Sequence, residues 1–167
     1  QESGKKHSIH GMYIPWPWTV NVGGQGYYFK NKQEAVQFIQ KKIAAGKENI
    51  DVGCMQINLR HHIHAFANLE EALEPANNIH YAAKFLREKY KKLKNWSKAI
   101  AHYHSSTNIH GSNYQRAVFK IANNIDHHRF LLKKYLYNTK NHITMNLDDF
   151  AYEARGMSTM QLSKKID

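Results

Sequence analysis

Three asparagines that precede apolar helical patterns constrain the fold more than any other feature of the chain. Asn31 and Asn68 are each followed three residues later by a glutamate, which is the capping-box pattern of a helix start. Asn95 begins a third segment in which apolar residues recur every three to four positions. The sequence therefore predicts that helices begin directly after these three residues.

Two further helices are predicted to be long. One begins at Pro75, and the other begins at Ser112 and is predicted to run as far as Leu132. The basic residues within 84–94 fall opposite the apolar stripe of the Pro75 helix, so they are predicted to form a solvated face. The apolar stripe itself comprises Ile79, Ala82, Ala83, Leu86, Tyr90 and Leu93.

Residues 18–29, WTVNVGGQGYYF, are the clear exception to the helical pattern. β-branched and aromatic residues flank Gly23, Gly24 and Gly26, which are expected to supply the positive φ angles of a tight turn. The turn lacks the strand–glycine–helix order of a phosphate-binding loop. The predicted fold class is mostly α (α+β), a helical domain with one small β-hairpin.

Size and charge restrict the function only broadly. A chain of 167 residues is long enough for one domain with its own core. Its net charge of +11 favours polyanionic partners, among them nucleic acid, anionic lipid and the acidic polymers of a bacterial wall. The single cysteine, Cys54, excludes a disulfide within the chain and is predicted to be a small buried hydrophobe. No apolar run approaches the ~20 residues of a membrane span.

The candidate chemical groups are few. Twelve histidines are present, but there is no HExxH motif and no cysteine pair, so neither a metal nor any other cofactor is predicted. Of the thirteen carboxylates, Glu2 and Asp51 lie beside apolar, aromatic-rich sequence. Taken alone, Asp51 is most simply a turn or cap residue, and Glu2 is most simply a frayed terminal residue.

Four short motifs change that interpretation. ES at 2–3, GCMQIN at 53–58, YHSS at 103–106 and NYQRAV at 113–118 occur in the order that is found in lytic transglycosylases. The chain resembles the SLT-type enzymes of the goose-lysozyme-like superfamily, from residue 1 to about residue 120. The PWPW segment with its glycine hairpin and the stretch IDVGCMQINL are particularly similar to a proteobacterial branch. The resemblance implies a lysozyme-like fold.

The resemblance also implies a reaction. Such enzymes cleave the β-1,4 bond between N-acetylmuramic acid (MurNAc) and N-acetylglucosamine (GlcNAc) in peptidoglycan and leave a 1,6-anhydroMurNAc end. Cleavage needs a carboxylic acid that is still protonated near neutral pH, and burial against apolar walls favours that state. Carried over by motif, Glu2 is the single acid and base, and Tyr114 hydrogen-bonds its carboxyl group.

The same comparison implies a set of substrate-binding residues. Two departures from the family pattern are visible: His104, Ser105 and Ser106 stand where Asn, a small residue and Gly are usual, and only Gln1 precedes Glu2. The family places that glutamate at the end of a helix, so the N-terminal helix is expected to be truncated in this chain. The implied substrate-binding residues are Ser3, Met55, Gln56, Asn58, Tyr103 and His104.

The predicted organisation is one catalytic domain over residues 1–138, with a helical and partly mobile extension over residues 139–167. The expected setting is the periplasm of a bacterial cell envelope, with a monomer acting on peptidoglycan strands. An envelope-spanning secretion or conjugation machine is a further candidate partner. Nucleic acid is not an expected partner, because the long helices form no recognisable helix-turn-helix.

Two alternatives stay open at this point. One is a hydrolytic lysozyme of the same fold, in which Asp51 positions the attacking water. The other is a non-catalytic basic module that binds glycan or nucleic acid.

Overall fold

The helix starts lie where the caps predict them. The computed structural model describes residues 2–6, 13–105 and 108–130. Asn31, Asn68 and Asn95 each accept a hydrogen bond on the side-chain oxygen from the backbone N–H three residues on, at 2.8–2.9 Å. Such a cap stabilises a helix by about 1 kcal/mol. The helices are α1 Lys32–Ala44, α2 Leu69–Ala72, α3 Pro75–Leu93, α4 Trp96–His104 and α5 Asn108–Ala122.

Helix α5 differs from its prediction at both ends. It begins at Asn108, four residues before Ser112, and it ends at Ala122, after which residues 125–130 are helical again. Gly111 therefore lies inside the helix. The absence of a side chain suits this position, because α5 approaches α4 so closely that a Cβ there would be 3.0 Å from the carbonyl oxygen of Ala101. At the other end, a turn at residues 123–124 interrupts the helix that was predicted to continue to Leu132. Leu132 itself lies outside the described residues.

The predicted hairpin is present and belongs to a larger sheet. Gly23 and Gly24 form its turn with φ angles of 59° and 95°, whereas Gly26 pairs within a strand and has no positive φ. A second hairpin lies in IDVGCMQIN, which was not predicted to contain strands. The four-stranded antiparallel sheet has the order β4-β3-β5-β6, and a separate pair is formed by β1 and β2. The strands are β1 Gly4–Lys6, β2 Tyr13–Pro15, β3 Thr19–Val22, β4 Gln25–Tyr28, β5 Ile50–Val52 and β6 Ile57–Asn58.

The main core lies between this sheet and helices α1 and α2. Its buried members, at most 1% exposed, are Val20, Ala35, Val36, Ile39, Ile50, Val52, Ala72 and Leu73. Cys54 is also buried, as predicted, and burial raises the pKa of its thiol to about 11. The mostly helical fold class is confirmed, and it agrees with the lysozyme-like fold that the resemblance implies.

Helix α3 presents the predicted basic face to solvent. Lys84, Arg87, Lys91, Lys92 and Lys94 are all exposed. Ala83, which was assigned to the apolar stripe, is exposed as well, while Asn78 occupies the buried side of the helix. None of the helices in the described part of the chain is long and apolar enough to cross a membrane. The predicted extension over 139–167 lies outside the described residues.

Candidate active site

A groove of about 1000 Å³ lies between the four-stranded sheet and helices α3, α4 and α5. The strand side contributes Asp51 and Asn58, and the helical side contributes Phe85 and Lys89. Most of the residues predicted for the site meet in this groove. They are Glu2, Gln56, Asn58, Tyr103, His104 and Tyr114.

Glu2 is held at the groove by the strand that follows it. The backbone N–H of Trp16 donates to the carbonyl oxygen of Ser3 at 3.1 Å, and Gly4–Lys6 pair with Tyr13–Pro15 immediately beyond. Ser3 is only 2% exposed. This pairing fixes the backbone next to Glu2, so Glu2 is not a frayed terminal residue.

The carboxyl group of Glu2 has two different oxygen environments. Its Oε1 is buried and has no hydrogen-bond partner among the described residues, while the side chain also hydrogen-bonds to Tyr114. Burial, the negative charge of Glu2 and this hydrogen bond all raise the pKa of Tyr114. The phenol of Tyr114 is therefore protonated near neutral pH and can donate to the carboxyl group. A buried polar atom without a partner is uncommon in proteins and points to a functional contact.

Three stacked rings form the helical wall beside Glu2. The ring of His104 stacks on Tyr114 with centroids 4.6 Å apart and planes 8° from parallel. Tyr103 lies nearly parallel to Tyr114 at 6.3 Å, and its hydroxyl donates to the carbonyl oxygen of Met55 at 3.1 Å. Burial and the charge of Glu2 raise the pKa of Tyr103, so this hydroxyl also remains a donor. Tyr103 thereby connects α4 to the turn between β5 and β6.

That turn, residues 53–56, is held by its own side chains and backbone. Gly53 and Gln56 have left-handed φ angles of 79° and 48°. The side-chain Nε2 of Gln56 donates to the carbonyl oxygens of Gly53 at 2.9 Å and Thr19 at 3.2 Å. The amide within this apolar run therefore has the specific partners that burial demands.

Asn78 supports the same turn from helix α3, a role that is not among the predictions. Its Oδ1 accepts from the backbone N–H of Met55 at 2.8 Å, and its Nδ2 donates to the carbonyl oxygens of Val52 at 3.1 Å and Ala72 at 2.9 Å. Asn78 is fully buried. The available signal was its position four residues before Ala82, which places an amide on the apolar face of the helix.

Asp51 and Asn58 form a polar pair on the sheet side of the groove. The Nδ2 of Asn58 donates to Asp51 Oδ1 at 2.7 Å and to Asn49 Oδ1 at 2.8 Å. Burial raises the pKa of Asp51, and the bond from Asn58 and the nearby His61 and His104 oppose that rise only in part. The groove therefore holds a second carboxyl group besides Glu2.

A family profile described as the Transglycosylase SLT domain matches residues 31–125, which is more than half of the chain. The chain belongs to this family. The SLT family comprises lytic transglycosylases that act on peptidoglycan in the cell envelope. No curated protein and no solved structure matches the chain significantly.

The SLT match does not include the residue predicted to be the acid. Glu2 precedes the matched segment, whereas Tyr103, His104 and Tyr114 lie within it. The groove brings Glu2 together with these SLT residues. The contact between Glu2 and Tyr114 therefore joins the start of the chain to the family segment.

Two predicted substrate-binding residues of this SLT domain do not line the groove. The side chain of Ser3 is buried, and its Oγ has no partner among the described residues, while Met55, which belongs to the 53–56 turn, is half-buried. The aromatic residues of the hairpin region, Trp16, Trp18, Tyr27 and Tyr28, do not line the groove either. Among the residues that the structure describes, no group of three or more His, Cys, Asp or Glu could hold a metal ion.

Proposed function

We propose that this SLT domain is a peptidoglycan lytic transglycosylase with Glu2 as its single acid and base. It cleaves the β-1,4 bond between MurNAc and GlcNAc and leaves a 1,6-anhydroMurNAc end. The observation that carries the proposal is the setting of Glu2 in the groove, with one oxygen unpartnered and the side chain hydrogen-bonded to Tyr114. A free oxygen beside an anchored one suits a group that transfers a proton to and from substrate.

The reaction needs no second carboxylate. In the first step, protonated Glu2 donates its proton to the glycosidic oxygen as the bond from C1 of MurNAc to that oxygen breaks. The resulting carboxylate then accepts the proton of the same sugar's 6-hydroxyl, while O6 bonds to C1. Because the attacking hydroxyl is already attached to the sugar, its effective concentration is high. Glu2 ends the cycle protonated, and no water is consumed.

The neighbouring residues have supporting roles in this proposal. Tyr114 donates to one carboxyl oxygen and orients Glu2, which leaves Oε1 for substrate. Tyr103 and His104 form the wall against which a sugar ring packs, and the exposed His104 supplies a hydrogen bond to the glycan. Gln56 and Asn58 line the opposite side for the N-acetyl groups. Ser3 and Met55 do not line the groove, so their proposed role is to support the residues that do.

Asp51 supports a second candidate, hydrolysis by a lysozyme of the same fold. A hydrolytic enzyme uses a second carboxylate to activate water, and Asp51 is a carboxyl group in the same groove. The products separate the two reactions, because hydrolysis leaves reducing ends and transglycosylation leaves anhydro ends. Replacing Asp51→Asn abolishes cleavage in the hydrolytic case only.

The decisive experiment is digestion of purified peptidoglycan by the protein and by Glu2→Gln. We expect Glu2→Gln to lower cleavage at least about 100-fold with no loss of folded structure. The matched control is Glu70→Gln, an exposed glutamate in the first turn of α2 that does not line the groove. Mass spectrometry should detect anhydro ends. Undiminished cleavage by Glu2→Gln, or reducing ends alone, would contradict the proposal, and binding without any cleavage would favour the non-catalytic module.

The proposed setting is the periplasm, where the domain acts as a monomer on glycan strands. The net charge of +11 supports a substrate that carries carboxylates. The proposed partner is an envelope-spanning secretion or conjugation machine, for which the domain would open the peptidoglycan locally. Sedimentation of the purified protein tests the monomer.

A further inference from the structure

Glu2 lies directly before a pair of strands that is separate from the four-stranded sheet. In this pair, Gly4–Lys6 of β1 align with Tyr13–Pro15 of β2. An isolated pair of strands is only marginally stable in water. The position of Glu2 therefore depends on the contacts that connect this pair to the core of the domain.

Trp16, the residue after β2, makes such a connection with three atoms. Its backbone N–H donates to the carbonyl oxygen of Ser3 at 3.1 Å, and its own carbonyl oxygen accepts from Thr19 Oγ1 at 2.7 Å. Its indole Nε1 donates to the carbonyl oxygen of Phe29 at 2.7 Å. Thr19 is 3% exposed, and Phe29 packs against the main core. Trp16 thus links the residue next to Glu2 to the start of β3 and to the residue after β4.

The sequence around Trp16 favours this arrangement. A proline disfavours the helical backbone in the residue before it, so Pro17 favours an extended Trp16. Pro17 is buried, and the ring of Trp18 meets that of Trp16 edge-on, with the centroids 5.9 Å apart. The indole of Trp16 is therefore held by packing as well as by its hydrogen bond.

Tyr28 makes a second connection, from the end of strand β4. Its hydroxyl donates to the carbonyl oxygen of Gly4 at 3.2 Å. Tyr28 directly precedes Phe29, which accepts the indole hydrogen bond of Trp16. Two successive carbonyl groups after Glu2 are therefore tied to the same end of the hairpin β3–β4.

We propose that Trp16 and Tyr28 are positioning residues, which place the carboxyl group of Glu2 through the backbone that follows it. This inference rests on the proposed function, in which Glu2 is the acid and base. Neither Trp16 nor Tyr28 lines the groove, so neither is assigned a contact with the sugar. The hairpin thus sets the backbone beside Glu2, while Tyr114 binds its carboxyl group from helix α5. A displaced acid transfers its proton more slowly while the groove still binds the glycan, so a positioning residue affects kcat and not KM.

Trp16→Phe tests the first connection, because it retains an aromatic ring and the backbone bond to Ser3 but removes the indole N–H. On soluble peptidoglycan strands we expect kcat to fall about fivefold with KM unchanged. The matched control is Trp96→Phe, since Trp96 stacks on Tyr90 and does not line the groove. The control should leave both constants unchanged. An unchanged kcat in Trp16→Phe, with or without a higher KM, would overturn the inference.

Tyr28→Phe tests the second connection and should lower kcat about twofold, since the hydrogen bond that it removes is longer and exposed. Tyr27→Phe is its control, because Tyr27 is the adjacent residue of β4 and packs on Phe38. In the Glu2→Gln protein, neither Trp16→Phe nor Tyr28→Phe should lower the residual cleavage further, because both act through Glu2. A further fivefold fall there would show that Trp16 acts independently of Glu2 and would contradict the positioning role.

A measurement without cleavage separates this inference from the proposed function. The NMR signals of the Tyr114 ring report its hydrogen bond to Glu2. Trp16→Phe should shift these signals toward their positions in Glu2→Gln, and Trp96→Phe should not. That result supports the positioning role even if the protein cleaves no peptidoglycan, in which case only the proposed function fails. Unshifted Tyr114 signals in a folded Trp16→Phe protein would overturn the positioning role and leave the cleavage proposal standing. If Trp16→Phe does not fold, Tyr28→Phe provides the same comparison.

Discussion

The two walls of the groove are stabilised in different ways. On the sheet side, fully buried Asn78 makes three hydrogen bonds to backbone groups: one to Met55 in the 53–56 turn, one to Val52 at the end of β5 and one to Ala72 of α2. On the helical side, Tyr103, His104 and Tyr114 form a stack of rings in which His104 is exposed. In the sheet wall, Asn78 packs so closely against Gly53 that an added side-chain atom there would overlap it. In the helical wall, the rings line the groove.

This difference teaches where stability and activity are separable. Unpaired buried groups and steric overlap reduce the free energy of unfolding, so substitutions in the sheet wall should first destabilise the protein. Substitutions in the helical wall should first change the environment of Glu2, which hydrogen-bonds to Tyr114. The predictions below test this division, from the largest expected effect to the smallest.

Gly53→Ala should have the largest effect. Gly53 has a φ of 79°, and an added Cβ would lie 2.4 Å from Nδ2 of Asn78. The left-handed backbone costs about 1–2 kcal/mol for a residue with a side chain, and the overlap adds about 1–3 kcal/mol. Urea denaturation should therefore show a loss of about 4 kcal/mol.

Gly24→Ala provides the matched control for that substitution. Gly24 has a φ of 95° in the hairpin turn, but an added Cβ there meets no atom within 4 Å. It should lose only the backbone contribution of about 1–2 kcal/mol. Equal losses for the two variants would show that the approach of Asn78 to Gly53 does not restrict the turn.

Asn78→Ala should have the next largest effect. The substitution leaves the N–H of Met55 and the carbonyl oxygens of Val52 and Ala72 without their partner. Each unsatisfied buried group costs about 1–3 kcal/mol. Because water can reach part of the space that the side chain leaves, we expect the free energy of unfolding to fall by about 3 kcal/mol in total. Asn77→Ala is the control, because Asn77 is exposed on the same helix. A similar midpoint of denaturation for both variants would show that Asn78 does not stabilise the sheet wall.

Tyr114→Phe tests the helical wall and should change activity more than stability. The ring can still stack on His104, but the hydroxyl that bonds Glu2 is lost. A hydrogen bond to a carboxyl group contributes about 1.5 kcal/mol, which corresponds to about a tenfold fall in kcat/KM. Tyr90→Phe is the control, since Tyr90 stacks on Trp96 and does not line the groove. If Tyr114→Phe lost much stability but cleaved peptidoglycan at an unchanged rate, the helical wall would contribute to stability and not to activity, which contradicts the prediction.

How much of this arrangement could be predicted depends on how far apart its partners lie in the chain. The caps at Asn31, Asn68 and Asn95 were predictable because each bonds a residue three positions away. The glycine turn of the first hairpin was local in the same way. Asn78 was not predictable, because its partners Val52 and Met55 lie more than twenty residues earlier.

The candidate site shows the same limit. Glu2 and Tyr114 are more than one hundred residues apart in the chain, so no local pattern could bring them together, and only the resemblance predicts that they meet. The predicted start of α5 at Ser112 is too late, because helix periodicity gives no reason to place Gly111 inside a helix, whereas the close approach of α4 leaves little room for a Cβ there. The pairing of Asp51 with Asn58 depends on the second hairpin, whose short strands gave no alternating pattern.

Asp51→Asn should have the smallest effect, and its sign opposes that of the other sheet-wall substitutions. Burial raises the pKa of Asp51 above its ordinary value of 3.8, so the stability of the protein falls as the pH rises from that value to the folded-state pKa. The introduced amide can still accept a hydrogen bond from Asn58 and carries no charge. At pH 7 the variant should be more stable by at most about 1 kcal/mol, since Asp51 is only half-buried. The gain should vanish below pH 3.8, where Asp51 is neutral in both folded and unfolded chains. A less stable Asp51→Asn at pH 7 would mean that the bond from Asn58 outweighs the burial of charge.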